Sequence, residues 1–204
     1  MTPTIIGNYK IIKELGTGGM GTVYLAENIN IGSKVAIKML HAHLVKSENI
    51  KTRFLKEAKT QANFNHPSIT RVIDFVSNDE GLFIILEFLE GETLNEFLFK
   101  NKNRLSEKEA NYYMAQILDA VGYAHSKDVV HRDLKSANIM ITPNKTIKIM
   151  DFGITKVANE TLSFTKTGFR LGSPLYMSPE QVTNGTIDFR SDIYSLGVIY
   201  THYT

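Results

Sequence analysis

The sequence contains no cysteine, which excludes disulfide stabilisation and any metal centre built on thiolates. That fits a reducing compartment, and the expected location is the cytoplasm. Long apolar runs are also missing. The longest aliphatic and aromatic stretch, Leu82–Leu86, falls far short of the roughly 20 residues that a membrane-spanning helix needs. The opening Met1–Asn8 lacks the basic and apolar blocks of a signal peptide. A large excess of one sign of charge is missing too: 23 Lys and Arg against 21 Asp and Glu leave a formal net charge of +2, which argues against nucleic acid or a membrane surface as partner. What is present is ordinary globular composition, 204 residues with 43% hydrophobic and 22% charged, enough material for a core.

Two short stretches carry the chemistry. Val129–Asn138 reads V-V-H-R-D-L-K-S-A-N, and Asp151-Phe152-Gly153 follows it. Asp133 is a carboxylate suited to accept a proton or orient a hydroxyl. Lys135, two residues on, brings a cation suited to a transferring phosphoryl group. Asn138 and Asp151 offer the oxygen ligands that hard Mg²⁺ prefers. H-R-D-L-x-x-x-N fills every fixed position of the protein-kinase catalytic loop, and D-F-G is the metal motif of the same family. An accidental match to five fixed positions has an expectation on the order of 10⁻⁴. The sequence therefore resembles the eukaryotic-like serine/threonine protein kinases, in wording nearest to the bacterial ones. Lys135 is the residue type that the serine/threonine branch carries there.

Ile11–Leu15, Thr22–Glu27 and Lys34–Leu40 read as antiparallel strands. The first turn, Gly16-Thr17-Gly18-Gly19-Met20-Gly21-Thr22-Val23, matches G-x-G-x-x-G-x-V. Strand character after the glycines favours a kinase phosphate loop over a dinucleotide fingerprint, which needs a helix there. By resemblance, Gly16, Gly18, Gly21, Val23 and Ala36 line the ATP site, and Lys38 of V-A-I-K holds the α- and β-phosphates. Glu48–Asn63 reads as a helix with Ile50, Phe54, Ala58 and Ala62 on one stripe. Glu57 takes the position that pairs with the lysine. Gln61 departs from the family, which mostly has an apolar residue there. Arg71–Val76 and Leu82–Phe88 read as two further strands. The resemblance implies a hinge in which backbone groups of Glu87 and Leu89 hold the adenine, with Met140 as its floor.

Thr93 and Ser106 each open a helix with a capping box, closed by Glu96 and Glu109. The second helix should bury Ala110, Met114, Ile117, Val121 and Ala124, and His125 at its end reads as a packed or capping residue. Ile139–Ile141 and Thr146–Met150 read as a hairpin around Pro143-Asn144. Asp151–Glu180 is a long segment of the kind that is usually functional. It closes in a docking loop and an A-P-E-like motif with Ser178 in place of Ala. By resemblance, Thr165 and Thr167 are autophosphorylated, with Arg132 and Lys156 as cations for the phosphates, and Asp192 holds the backbone of the catalytic loop.

The expected fold class is α+β: a two-lobed kinase fold with a β-rich N-lobe and one main helix over residues 1–88. A mainly α, incomplete C-lobe spans 89–204. The resemblance is expected to end near Val198, as in a fragment or a broken reading frame. Ile193, Leu196, Val198 and Ile199 should then keep part of their apolar surface in water, and Glu180 should lack its arginine. The implied function is transfer of phosphate from ATP, with Mg²⁺ or Mn²⁺, to Ser or Thr hydroxyls of protein substrates in signalling. A second copy would serve autophosphorylation. The competing reading is an inactive remnant that binds nucleotide or a partner.

Overall fold

The computed structural model describes residues 4–19, 21–45, 47–102, 104–152, 174–183 and 185–203, and the side chains at 49, 53, 57, 174, 202 and 203 lie outside that description. The chain divides into two compact units.

The first unit holds residues 4–64 and 71–89. Its sheet runs β1 (Ile5–Ile6), β2 (Tyr9–Thr17), β3 (Gly21–Asn28), β4 (Lys34–Leu40), β6 (Gly81–Glu87) and β5 (Val72–Asn78) in spatial order, antiparallel throughout. Strand β1 is absent from the sequence reading because two residues are too short a pattern to register. It forms because Gly7, at φ +54°, turns Ile6 back onto Tyr9. Register then sorts the side chains. Val23, Lys38 and Ile84 lie opposite one another, as do Leu25, Ala36 and Leu86, so all six share one face. The other face contributes Ala26, Val35, Ile37, Phe83 and Ile85, which pack with Ile6 and Tyr9 into a core. A short helix α1 (Ala42–Val45) precedes α2 (Glu48–Ala62), which Asn63 caps. Buried Phe54 of α2 meets Phe75 edge-on at 6.3 Å, and Phe75 pairs with Ile84.

The second unit contains residues 65–70 and 90–152 and the described residues from 174 to 203. The segment 65–70 is tied here rather than to its sequence neighbours: Thr70 gives both its N–H and its hydroxyl to the Ile149 carbonyl at 2.9 Å. Asn65 N–H donates to the Tyr123 hydroxyl at 3.0 Å, and His66 Nε2 meets Asp119 Oδ2 at 3.1 Å. Helices α3 (Leu94–Lys100) and α4 (Glu107–His125) both start from complete capping boxes, at Thr93 with Glu96 and at Ser106 with Glu109. Along α4, Ala110, Ile117, Val121 and Ala124 are buried as expected, but Tyr113 takes the buried place anticipated for Met114. A small sheet joins β7 (Glu92–Thr93), β8 (Ile139–Ile141) and β9 (Ile147–Ile149). Gly91 allows β7 to approach, since a Cβ there would collide with the Ile141 carbonyl.

Helices α5 (Pro179–Val182) and α6 (Phe189–Tyr203) complete the described residues. The expectation that Leu196 and Ile199 stay wet is wrong: they are 4% and 2% exposed. They share with Asp192 and Ser195 the inward face of α6, at helical spacing. Ile193, on the opposite face, is exposed as expected. The helix also continues through the Y-T-H-Y stretch, and Tyr200 donates its hydroxyl to Asn111 Oδ1 at 2.8 Å. No helix among the described residues is long and apolar enough to cross a membrane.

Candidate active site

The candidate residues fall on both units and are described within each. In the second unit everything converges on the loop at 131–138. Lys135 Nζ donates to Asp133 Oδ2 at 2.8 Å. Asn138 Nδ2 donates to the same oxygen at 3.1 Å and to the Asp133 carbonyl at 2.8 Å. Both amide hydrogens of Asn138 are thereby committed, and its Oδ1 is directed away from Asp133. A turn at Ser136–Asn138 makes these short-range bonds possible by bringing Asn138 back over Asp133.

The loop does not support itself. Asp192, 1% exposed, accepts the backbone N–H of His131 on Oδ2 and that of Arg132 on Oδ1, each at 2.8 Å. Oδ2 also meets His125 Nε2 at 2.8 Å, so His125 is a partner of the buried carboxylate as well as a helix-end residue. His131 is fully buried. Its Nδ1 accepts the Asp133 N–H at 3.3 Å, which leaves Nε2–H to donate to the Met150 carbonyl at 2.9 Å. That bond carries the loop geometry to the strand preceding Asp151, and Met150 N–H returns to the Asn138 carbonyl at 2.9 Å. The His131 ring also lies 4.6 Å from that of buried Phe152. Asp151 stands at φ +58°, a left-handed backbone unusual outside glycine. Met140 is half-buried in β8, opposite Thr93 and Lys148.

Gln181 makes a contact to the loop that the sequence reading missed. Its Nε2 donates to the Arg132 carbonyl at 2.7 Å, while its Oε1 accepts the Ser178 N–H at 3.0 Å. Ser178-x-x-Gln181 does match a capping box, which was the available signal. Glu180, expected to lack its arginine, accepts a hydrogen bond from the Ser191 hydroxyl. That bond holds its carboxyl below the ordinary range, aided by Glu180's own backbone N–H and the Ser178 side chain.

In the first unit, Lys38 is buried on the sheet face that also carries Val23, Leu25, Ala36, Ile84 and Leu86. Gly16 pairs with Val23, and Gly18 N–H donates to the Gly21 carbonyl at 2.9 Å, closing the turn. The glycines differ in kind. A Cβ at Gly16 or Gly18 would meet open space, whereas one at Gly21 would collide with the Met39 carbonyl. Glu87 exchanges two bonds with Arg71, N–H to carbonyl at 3.0 Å and Oε1 from N–H at 2.8 Å, fixing the strand end before Leu89. Gln61 of α2 is buried, 2% exposed. The side chain of Glu57, and Thr165, Thr167 and Lys156, lie outside the described residues.

A family model described as protein kinase domain matches residues 9–204, past the point near Val198 where the sequence reading expected the resemblance to stop. Serine/threonine-protein kinase PrkC of Bacillus subtilis is 40% identical over 195 residues, covering 96% of this chain and 30% of its own length. PknB of Mycobacterium leprae is 35% identical over 201 residues, 97% of this chain and 32% of its own length. The crystal structure of the Mycobacterium tuberculosis PknI kinase domain matches with a TM-score of 0.78 at 25% identity, over 99% of this chain and 74% of that one. The chain spans about 30% of the length of the curated relatives it matches.

Proposed function

The chain belongs to the protein kinase domain family, and from that premise we propose that it transfers the γ-phosphoryl group of ATP to a serine or threonine hydroxyl of a protein. The observation that carries this reading is Asp133, whose Oδ2 receives both Lys135 Nζ and Asn138 Nδ2. Both bonds fall on one oxygen. Among the described residues no such bond falls on Oδ1, which is assigned to orient the acceptor hydroxyl and take its proton as the hydroxyl oxygen attacks the γ-phosphorus. The bond from that phosphorus to the bridging oxygen breaks, and ADP leaves.

Little covalent chemistry falls to the protein in such a transfer; positioning and charge stabilisation dominate. Lys135 is assigned to offset charge on the moving phosphoryl oxygens. Lys38, with Gly16, Gly18, Gly21, Val23 and Ala36, is assigned to the nucleotide, and backbone groups of Glu87 and Leu89 with Met140 to its adenine. Glu57 is assigned as the partner of Lys38. Asn138 Oδ1 and the Asp151 carboxylate form an all-oxygen donor pair that fits Mg²⁺ or Mn²⁺, cations that take few protein ligands and complete their shell with water and phosphate. The cation offsets phosphate charge when bound.

Autophosphorylation at Thr165 and Thr167, cytoplasmic action in signalling and pairing with a second copy belong to the same proposal. The test is transfer of radiolabelled phosphate from ATP to a basic protein acceptor. ATP binding without any transfer would replace this reading by that of an inactive nucleotide-binding remnant.

A further inference from the structure

Ser136 follows Lys135 directly and is 2% exposed, yet nothing in the transfer chemistry uses it. Its hydroxyl lies 3.3 Å from Asn95 Oδ1, at the start of α3, and 3.0 Å from the Tyr176 hydroxyl. An amide oxygen only accepts, so the one hydrogen of Ser136 goes to Asn95, and Tyr176 donates to Ser136. Tyr176 is held at its backbone too: Ser195 of α6 donates its hydroxyl to the Tyr176 carbonyl at 2.7 Å. One residue of the segment before α5 is therefore fastened to α6 by its main chain and to the catalytic loop by its side chain. Next to it, Leu175 is 52% exposed and presents an apolar surface.

We propose that the Tyr176–Ser136–Asn95 relay seats the segment 174–178 against the catalytic loop, so that Ser136 and Tyr176 are positioning residues for the protein acceptor and not for ATP. The physical reason is connectivity. Ser136 is one peptide bond from Lys135, whose ammonium holds Asp133. A shift of Tyr176 thus moves an acceptor-facing surface relative to the carboxylate that receives the acceptor's proton. Misplacement of this kind raises the acceptor KM and leaves nucleotide affinity alone.

The inference rests on the phosphoryl-transfer reading above. It is tested with Ser136→Ala, Tyr176→Phe and the double variant, using myelin basic protein as acceptor. A lost hydrogen bond of ordinary strength corresponds to about a 3- to 10-fold effect. Each single variant should raise the acceptor KM by that factor, with the ATP KM and the melting temperature unchanged. The double variant should lose less than the sum of the two single ones, because both remove the Tyr176–Ser136 bond. Additive losses, an ATP KM rising in parallel, or no change in either constant would overturn the proposal. If the unaltered chain transfers no phosphate, the transfer reading falls. Hydrogen exchange then decides the seating separately: amides of residues 175–183 should exchange about 3- to 10-fold faster in both single variants, and unchanged exchange would overturn it.

Discussion

Gln181 donates from Nε2 to the Arg132 carbonyl at 2.7 Å, gripping a residue whose N–H is already held by Asp192. Arg132 stands at φ +69°, a left-handed conformation costing on the order of 1–3 kcal/mol in a residue with a Cβ. The two bonds together hold the strained peptide that precedes Asp133. Gln181→Leu should lower kcat about tenfold with little change in ATP KM. Asp192→Asn should be worse and also lower the melting temperature. Its amide would face backbone N–H groups on one side or the other, and one donor would be left without an acceptor. Steady-state kinetics beside thermal melts checks this, and a Gln181→Leu protein with unaltered kcat would remove Gln181 from the account.

Three of the charged residues assigned to transfer should separate by readout. Lys38→Met and Asp151→Asn should abolish transfer and weaken Mg·ATP binding by calorimetry. Asp133→Asn should cut turnover by at least about 100-fold with Mg·ATP binding nearly intact, because its work is on the acceptor. Near-normal turnover in Asp133→Asn would sink the assignment.

Gly21 and Gly16 should fail differently when replaced by alanine. A Cβ at Gly21 collides with the Met39 carbonyl in the neighbouring strand, so Gly21→Ala should cost about 1–3 kcal/mol of stability. A Cβ at Gly16 meets open space, so Gly16→Ala should melt like the unaltered protein and lose only ATP affinity. Chemical denaturation and nucleotide titration on the same two samples decide it. Equal melting of the two variants would contradict the steric argument.

Glu180 should give the docking segment an acid limit. Its folded pKa lies below the ordinary value of 4.5, chiefly through the Ser191 hydroxyl. A depressed carboxyl contributes stability that is present above its unfolded pKa and lost as pH falls through the folded one. The melting advantage of the unaltered protein over Glu180→Gln should therefore be full at neutral pH and shrink as pH drops below about 4.5. A difference constant across that range would show that the carboxylate form is not what matters.

Thr165 and Thr167 lie outside the described residues, and their modification is predicted from the motif alone. Each phosphate would add about −1.5 to −2 charges, for which Arg132 and Lys156 are the assigned cations. Mass spectrometry after incubation with Mg·ATP should find phosphate at these positions, and the double alanine variant should lose most activity. Phosphate only at other residues would discard the idea.

Bonds spanning a few residues follow from chain geometry, and those are the ones the sequence disclosed. Asp133, Lys135 and Asn138 sit two and five residues apart, and one short turn brings their side chains together. Both capping boxes, the strand segments of β3 and β4 and the Ile50, Phe54 and Ala58 stripe of α2 are equally local, so residue order by itself determined them. Ala62, expected on that stripe, is exposed, and Gln61 is buried at the end of α2 instead. Tertiary structure decided what distant segments do to that turn. Asp192 reaches His131 across 61 positions, a contact that the family resemblance implied but no spacing showed, Gln181 reaches Arg132 across 49, and Tyr176 reaches Ser136 across 40. The burial of Ile199 and the attachment of 65–70 to the second unit belong to the same class. Such pairings have no spacing to read, because they exist only once loop-closure entropy has been overcome by packing. Sequence named the candidate groups; packing of α5 and α6 against the loop set where they point.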